Sequence, residues 1–402
     1  MPLNLDKVRS DFPILSKDII YFDSAASSLT PEPVLNKMLE YYHNYRANIA
    51  RGIHQLSQRA SEEYEKARNK ISGFINARSN DEIIMTKNTS DGINIVANGL
   101  KWRKGDNIVT TSMEHHSNFV VWLRVKERYG VEVKIIFPNK EGILDITDFE
   151  KMVDDKTRLI AVTHTSNVLG TVTPVEEITQ IGHNHGAYVL VDGAQSVPHM
   201  RVDVQKIDCD FLAFSGHKMC GPTGIGVLYS RKELQEEIEP ISIGGGTVKD
   251  VNLDCYNLLK GPKKFEVGTP SIAQTIGLGA AVDYLQGIGM QSIRNHDIKL
   301  VTRMYDEMTK MANISVYGPE PKLRTGIFSF NIEGLSPHDV ALAYDTTAKI
   351  MIRSGAHCAL PLMKEIINIP SGTARASTYL YNTFKEVDKF IDVASKLSGS
   401  LS

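Results

Sequence analysis

The chain has 402 residues, with 45 Lys+Arg against 47 Asp+Glu and a formal net charge of −2. That length allows more than one domain at roughly 100–200 residues each, and the near-neutral balance argues against the strongly basic footprint of a nucleic-acid-binding protein. The N-terminus, Met1-Pro2-Leu3-Asn4-Leu5-Asp6-Lys7, lacks a signal peptide's apolar stretch and cleavage site, and no apolar run approaches the roughly 20 residues of a membrane span, so a cytoplasmic protein is expected. The four cysteines, Cys209, Cys220, Cys255 and Cys358, are too scattered for a disulfide framework and form no CxxC pair, which leaves room for a working thiol.

In chain order, residues 61–75 interleave charges with Tyr64, Ala67, Ile71 and Phe74, the spacing of an amphipathic helix. Strands are expected at 82–86, 107–111, 132–137, 157–163, 188–192, 211–215 and 225–229, and a helix at 93–100. Several of these strands are continuous apolar runs, as in a parallel sheet covered on both faces. An α/β sandwich follows, with a large domain over 20–270. A helix at 272–285 leads out of it, with 271–284 as the connection, and a smaller α+β domain is expected from 1–19 together with 285–402. That part contains strands at 326–332 and 350–353 and helices at 336–344 and 385–397. Repeats, low-complexity tracts and charge blocks are lacking.

Ligands in an open parallel sheet sit at the carboxyl ends of strands, where Asp192, Gln195, Ser215, His217 and Lys218 all fall. A lysine after serine and histidine, with an aspartate at an earlier strand end, is the equipment for pyridoxal phosphate: the amine condenses with the cofactor aldehyde and the carboxylate pairs with the pyridinium nitrogen. Asp192 alone could be a helix cap and Lys218 alone a solvated loop lysine; the combination favours the cofactor. Asn88-Thr89-Ser90-Asp91-Gly92, between a strand and a helix, supplies amides and hydroxyls for the phosphate, with Thr89 and Ser90 as ligands, although an ordinary N-cap uses the same residues. Met113-Glu114-His115-His116 offers a ring to stack on the pyridine; a surface histidine pair is the plain alternative.

Arg51-Gly52-Ile53-His54, Glu114-His115-His116, Ser166-Asn167-Val168-Leu169-Gly170-Thr171, Val191-Asp192-Gly193-Ala194-Gln195, Ser215-Gly216-His217-Lys218, Phe265-Glu266-Val267-Gly268-Thr269-Pro270 and Arg353-Ser354-Gly355-Ala356-His357-Cys358 together resemble the SufS-type cysteine desulfurases, in family order over nearly the whole chain. The resemblance implies the class V aminotransferase group and the fold type I pyridoxal phosphate architecture, with a mainly parallel seven-stranded sheet. It also implies a homodimer with active sites at the subunit interface. Carried over by position, Lys218 bears the cofactor, Asp192 pairs with the pyridinium, Gln195 donates to the ring oxygen and His115 stacks. Thr89, Ser90, Ser215 and His217 hold the phosphate, and Thr269 reaches a phosphate across the interface. Asn167, Arg353 and Arg375 recognise the substrate carboxylate, a task suited to the planar arginine fork.

Cys358 selects the reaction. Its attack on the sulfur of bound L-cysteine yields L-alanine and a Cys358 persulfide, with Lys218 as the Cα base and His115 managing the thiol proton. Burial as an inert thiol is the usual fate of a free cysteine and suits Cys209 and Cys220 better than a cysteine in a glycine-containing loop; Cys255 is undecided. The short tether from Arg353 to Cys358 implies a sulfur acceptor, such as a cluster-scaffold protein for iron-sulfur assembly, that docks at the site. Ala356 and Ala50 depart from the histidines frequent in relatives. A selenocysteine lyase is the alternative on this scaffold, ahead of a class V transaminase or a non-catalytic scaffold that has lost the cofactor.

Overall fold

A computed structural model describes residues 3–399. After a two-residue strand β1 (Ile20–Tyr21), the seven strands β2 (Ile83–Thr86), β3 (Asn107–Thr111), β4 (Glu132–Ile136), β5 (Thr157–Thr163), β6 (Tyr188–Asp192), β7 (Phe211–Ser215) and β8 (Gly226–Ser230) form one sheet in the order β2-β8-β7-β6-β5-β3-β4. Strands β3 to β7 pair in parallel, and β8 runs antiparallel to both of its neighbours. Side chains alternate across each strand. Ile160, Val162, Val189, Val191, Leu212 and Phe214 therefore enter one core, while Leu159, Ala161, Leu190, Phe211 and Ala213 enter the core on the other face. Both faces being covered is why these strands read as unbroken apolar runs.

A hairpin of β9 (Val248–Val251) and β10 (Tyr256–Leu258) follows, with Val251, Leu253 and Tyr256 exposed. The remaining strands are β11 (Ile314–Tyr317), β12 (Ile327–Ile332), β13 (Ile350–Met351), β14 (Arg353–Gly355) and β15 (Thr373–Ser377). Four of them form an antiparallel sheet in the order β11-β12-β15-β14. Its own core joins Phe328, Phe330 and Ala376 to Leu300 and Met304 of the helix Met290–Met308, Tyr344 of Pro337–Ala348 and Phe390 of Phe384–Gly399. The Phe330 and Phe390 rings meet edge to face, centroids 5.5 Å apart. At the N-terminus, Val8, Phe12 and Leu15 pack in the larger core, while Arg9 reaches the Tyr381 carbonyl at 2.6 Å and Glu386 at 2.8 Å.

The fold class expected from the sequence is therefore present, and β3, β5, β6 and β7 have the predicted ends. Other ends shift by one to four residues, and the helices expected at 61–75 and 93–100 and the strand expected at 350–353 differ for identifiable reasons. The helix expected at 61–75 spans Gln55–Phe74, because His54 caps it through Nδ1, which accepts the Ser57 amide at 3.4 Å; histidine is outside the usual capping set. The helix expected at 93–100 starts at Thr89, with Asn88 as its cap. The strand expected at 350–353 is two: β13 pairs in parallel with β1, and β14 pairs antiparallel with β15, so the chain changes sheets at Ile352.

Candidate active site

The carboxyl ends of β5, β6 and β7 open on a cavity of about 410 Å³ whose wall contains Thr89, Ser90, His115, Asn167, Asp192, Gln195, Ser215, His217, Lys218, Arg353, Cys358 and Arg375. A larger cavity of about 1060 Å³ lies elsewhere, between the N-terminal segment and the helix Ile272–Ile288, and contains none of these residues. Thr269 alone among the sequence-predicted residues lies outside the site. It is exposed, 3.4 Å from Asn48 Nδ2, beside a separate cavity lined by Lys87 and Asp91.

At one end of the cavity, the helix Thr89–Gly99 begins with Asn88 as its cap, the Asn88 side chain accepting the Asp91 amide at 3.0 Å. The Thr89 amide donates to Ser215 Oγ at 2.8 Å, the Thr89 and Ser215 hydroxyls lie 2.6 Å apart, and the Ser90 and Ser117 hydroxyls pair at 2.6 Å. This approach requires a glycine at 226: a Cβ there would sit 2.6 Å from Asn88 Cα and 2.8 Å from the Phe214 carbonyl oxygen. Four hydroxyls around a helix N-terminus make a site for a phosphate.

Across the cavity, Asp192 is buried, with the Ala194 amide donating to Oδ1 at 2.9 Å. Burial raises its pKa above the usual carboxylate range, opposed by that amide and by Lys218. Burial also pushes the Lys218 amine down to about 8, partly offset by Asp192 and aided by Arg375. Gln195 donates from Nε2 to the Ala25 carbonyl at 2.7 Å, while its Oε1 is buried without a partner, the kind of orphan atom that a ligand's polar group satisfies. His115 is held near pKa 4 by burial and by Lys218. Its Nδ1 accepts the Ser117 amide at 3.1 Å, which leaves the neutral ring's proton on Nε2. A buried carboxyl for a pyridinium nitrogen, a depressed amine, a flat neutral ring and a hydroxyl-lined anion cradle fit pyridoxal phosphate.

On the other side stand the cations. Arg375 is buried, and desolvation lowers its pKa to about 10 despite Asp23. Its Nη1 donates to the Asn167 carbonyl at 2.7 Å, and its Nε is buried and unpartnered. Asn167 in turn donates from Nδ2 to the His357 carbonyl at 2.7 Å. Cys358 is exposed, as is Cys255, whereas Cys209 and Cys220 are buried. Burial lifts the Cys220 thiol to about 12 and raises that of Cys209 further, so neither supplies thiolate near neutrality.

The sequence reading missed the segment at residues 23–28. Asp23 bonds both arginines, Ala25 holds Gln195, and Ser27 and Ser28 donate to the His217 carbonyl. Its one signal is the small, polar run Asp23-Ser24-Ala25-Ala26-Ser27-Ser28 after an aromatic strand. In the sequence Glu114 stands only within a motif, with no role of its own. It lies fully buried behind the site, accepting from Thr111 and Asn118, and burial raises its pKa to about 8.

The class-V aminotransferase model matches residues 20–390. A protein of Methanothermobacter thermautotrophicus named a probable cysteine desulfurase is 47% identical over 399 residues, covering 99% of each chain. The apo structure of a cysteine desulfurase from Thermococcus onnurineus superposes with a TM-score of 0.95 at 46% identity, over 100% of this chain and 99% of that one. An Escherichia coli cysteine desulfurase solved in an S-sulfonic acid form gives 0.92 at 33% identity, over 98% of each. With full-length matches on this scale, the chain belongs to the class-V aminotransferase family, among the members named cysteine desulfurases.

Proposed function

We propose that this chain is a pyridoxal phosphate-dependent L-cysteine desulfurase that forms L-alanine and holds the released sulfur as a persulfide on Cys358. The observation that carries the reading is one cavity shared by Lys218 and Asp192, Asn167 and Arg375, and the exposed Cys358. The cofactor, bound through Lys218, supplies an electron sink that lets a proton leave the substrate Cα. Thr89, Ser90, Ser215 and His217 hold its phosphate, Asp192 its pyridinium nitrogen, Gln195 its ring oxygen, and His115 lies against the ring.

Arg375 and Arg353 bind the substrate carboxylate and Asn167 orients it. Lys218, with an amine pKa near 8, gives up the proton it carries at neutral pH more readily than a surface lysine and can take the Cα proton. The Cys358 thiolate attacks the substrate sulfur. The new S–S bond forms as the Cβ–S bond breaks, the bonding pair stays with carbon, and a proton completes the methyl group of alanine. His115, neutral with its proton on Nε2, serves as a hydrogen-bond donor to the substrate.

The same reading makes Thr269 a residue that serves a second copy's phosphate in a homodimer. Its exposure outside the cavity, and the exposed apolar Ile53, Leu56 and Leu253, support this. The persulfide then passes to a docked acceptor for iron-sulfur assembly, in the cytoplasm, where a reduced Cys358 persists. Turnover of L-cysteine and L-selenocysteine by Cys358→Ala is the test. Loss of the first with survival of the second supports the thiol mechanism, and wild-type cysteine turnover would overturn it.

A further inference from the structure

The helix that follows the Cys358 loop, Leu360–Glu365, begins without a cap of its own. Its N-cap is Ala359, which has no side-chain acceptor, and Pro361 in the first turn has no amide to satisfy. The first amide, Leu360 N–H, finds its acceptor 244 residues away in sequence, at His116 Nε2, 3.1 Å distant. The His116 backbone amide donates to the Cys358 carbonyl at 2.6 Å. One residue therefore grips the loop on both sides of the thiol. To accept at Nε2 the imidazole must be neutral with its proton on Nδ1, and burial lowers its pKa in that direction.

The loop needs such a grip. His357 and Cys358 occupy the left-handed region consecutively, at φ 50° and 56°, a conformation that residues other than glycine seldom adopt and that persists only where surroundings impose it. The other anchors, Asn167 Nδ2 on the His357 carbonyl and His357 Nε2 on Thr373, act before the thiol. Within the loop the Ala359 amide turns back to the Ala356 carbonyl at 2.9 Å, and from outside the loop His116 holds the chain at and after the thiol.

We infer that His116 is a positioning residue that clamps residues 358–360 and so aims the Cys358 sulfur at the cavity. It belongs to the same dipeptide as His115, so one short segment supplies both a wall of the cavity and the clamp on the nucleophile. This role deepens the desulfurase reading and rests on it for its catalytic consequence, although the clamp itself can be measured without turnover.

The experiment compares wild type, His116→Ala and His116→Gln, whose side-chain oxygen can accept near the position of Nε2. In the full-length protein without substrate, hydrogen exchange at the Leu360 amide should quicken roughly tenfold in His116→Ala and return towards wild type in His116→Gln. In the holoenzyme, kcat for L-cysteine should fall roughly 10–100-fold in His116→Ala with little change in KM, and recover in His116→Gln. In a Cys358→Ala background the His116 change should leave L-selenocysteine turnover at the level of Cys358→Ala alone. Unchanged Leu360 exchange overturns the clamp, and faster exchange with unchanged kcat overturns its positioning role. A wild-type holoenzyme that does not turn over cysteine defeats the desulfurase reading instead, while the exchange result still decides the clamp.

Discussion

Asp23 Oδ2 and Arg353 Nη2 lie 3.1 Å apart, and the other oxygen of the same carboxylate is 3.4 Å from Arg375 Nη2. The two cations assigned to the substrate carboxylate are thus tied together by a residue of the N-terminal segment. Arg375 has a second anchor in the Asn167 carbonyl, but the half-exposed Arg353 is oriented by Asp23. Replacing Asp23 by Asn should let Arg353 wander and raise KM for L-cysteine roughly three- to tenfold, with a smaller effect on kcat. Steady-state kinetics decide it; an unchanged or lower KM would show that Asp23 competes with the substrate rather than presenting its arginine.

The depressed Lys218 amine gives a pH signature. Its pKa of about 8 lies below the ordinary lysine value because burial disfavours the charge, so the nucleophilic free amine accumulates as pH rises through 8. In cofactor-free protein, modification of Lys218 by an amine-selective reagent, followed by peptide mass spectrometry, should show a midpoint near pH 8, while surface lysines titrate near 10.4. A Lys218 midpoint at the surface value would remove desolvation from the account.

Far from the cavity, His183 Nε2 lies 2.9 Å from Asp210, a buried carboxylate that also accepts the Val189 amide. The hydrogen bond to Asp210 raises the His183 pKa above its unfolded value. The pair therefore contributes stability that is complete below the unfolded pKa near 6.5 and is lost as pH rises through the raised folded value. His183→Gln should lower the melting temperature at pH 5.5 more than at pH 9, and an equal loss at both would contradict the charged pair.

Gly226 tests the phosphate cradle by packing alone. Gly226→Ala forces a Cβ against Asn88 Cα, a backbone atom that cannot yield without shifting the start of the Thr89–Gly99 helix. The expected cost is about 1–3 kcal/mol in a denaturant melt, with weaker cofactor retention on dialysis. Unaltered stability and retention would mean that the cradle is not set by this contact.

Much of this was legible in the sequence because parallel strands buried on both faces leave unbroken apolar runs, and their last residues, Asp192 and Ser215, mark the ligand edge. Lys218, Asn167, Arg375 and Cys358 stood in motifs whose chemistry is distinctive at fixed spacing. Asp23 did not, since its function lies in contacts to residues more than 300 positions away that no local period reveals. The hairpin of β9 and β10 was also missed, because with both faces largely exposed it lacks a hydrophobic alternation. His116 drew no role of its own beside His115, because the Leu360 amide it accepts belongs to a distant helix.

In the proposed reaction, sulfur from L-cysteine comes to rest on Cys358. Mass spectrometry of the peptide containing Cys358, after brief exposure of the holoenzyme to L-cysteine and trapping with an alkylating agent, measures this directly. This peptide should gain one sulfur atom, reversibly with a thiol reductant, and Lys218→Ala should abolish the gain. Formation of alanine with no added sulfur on Cys358, or with the sulfur on Cys255 instead, would contradict it.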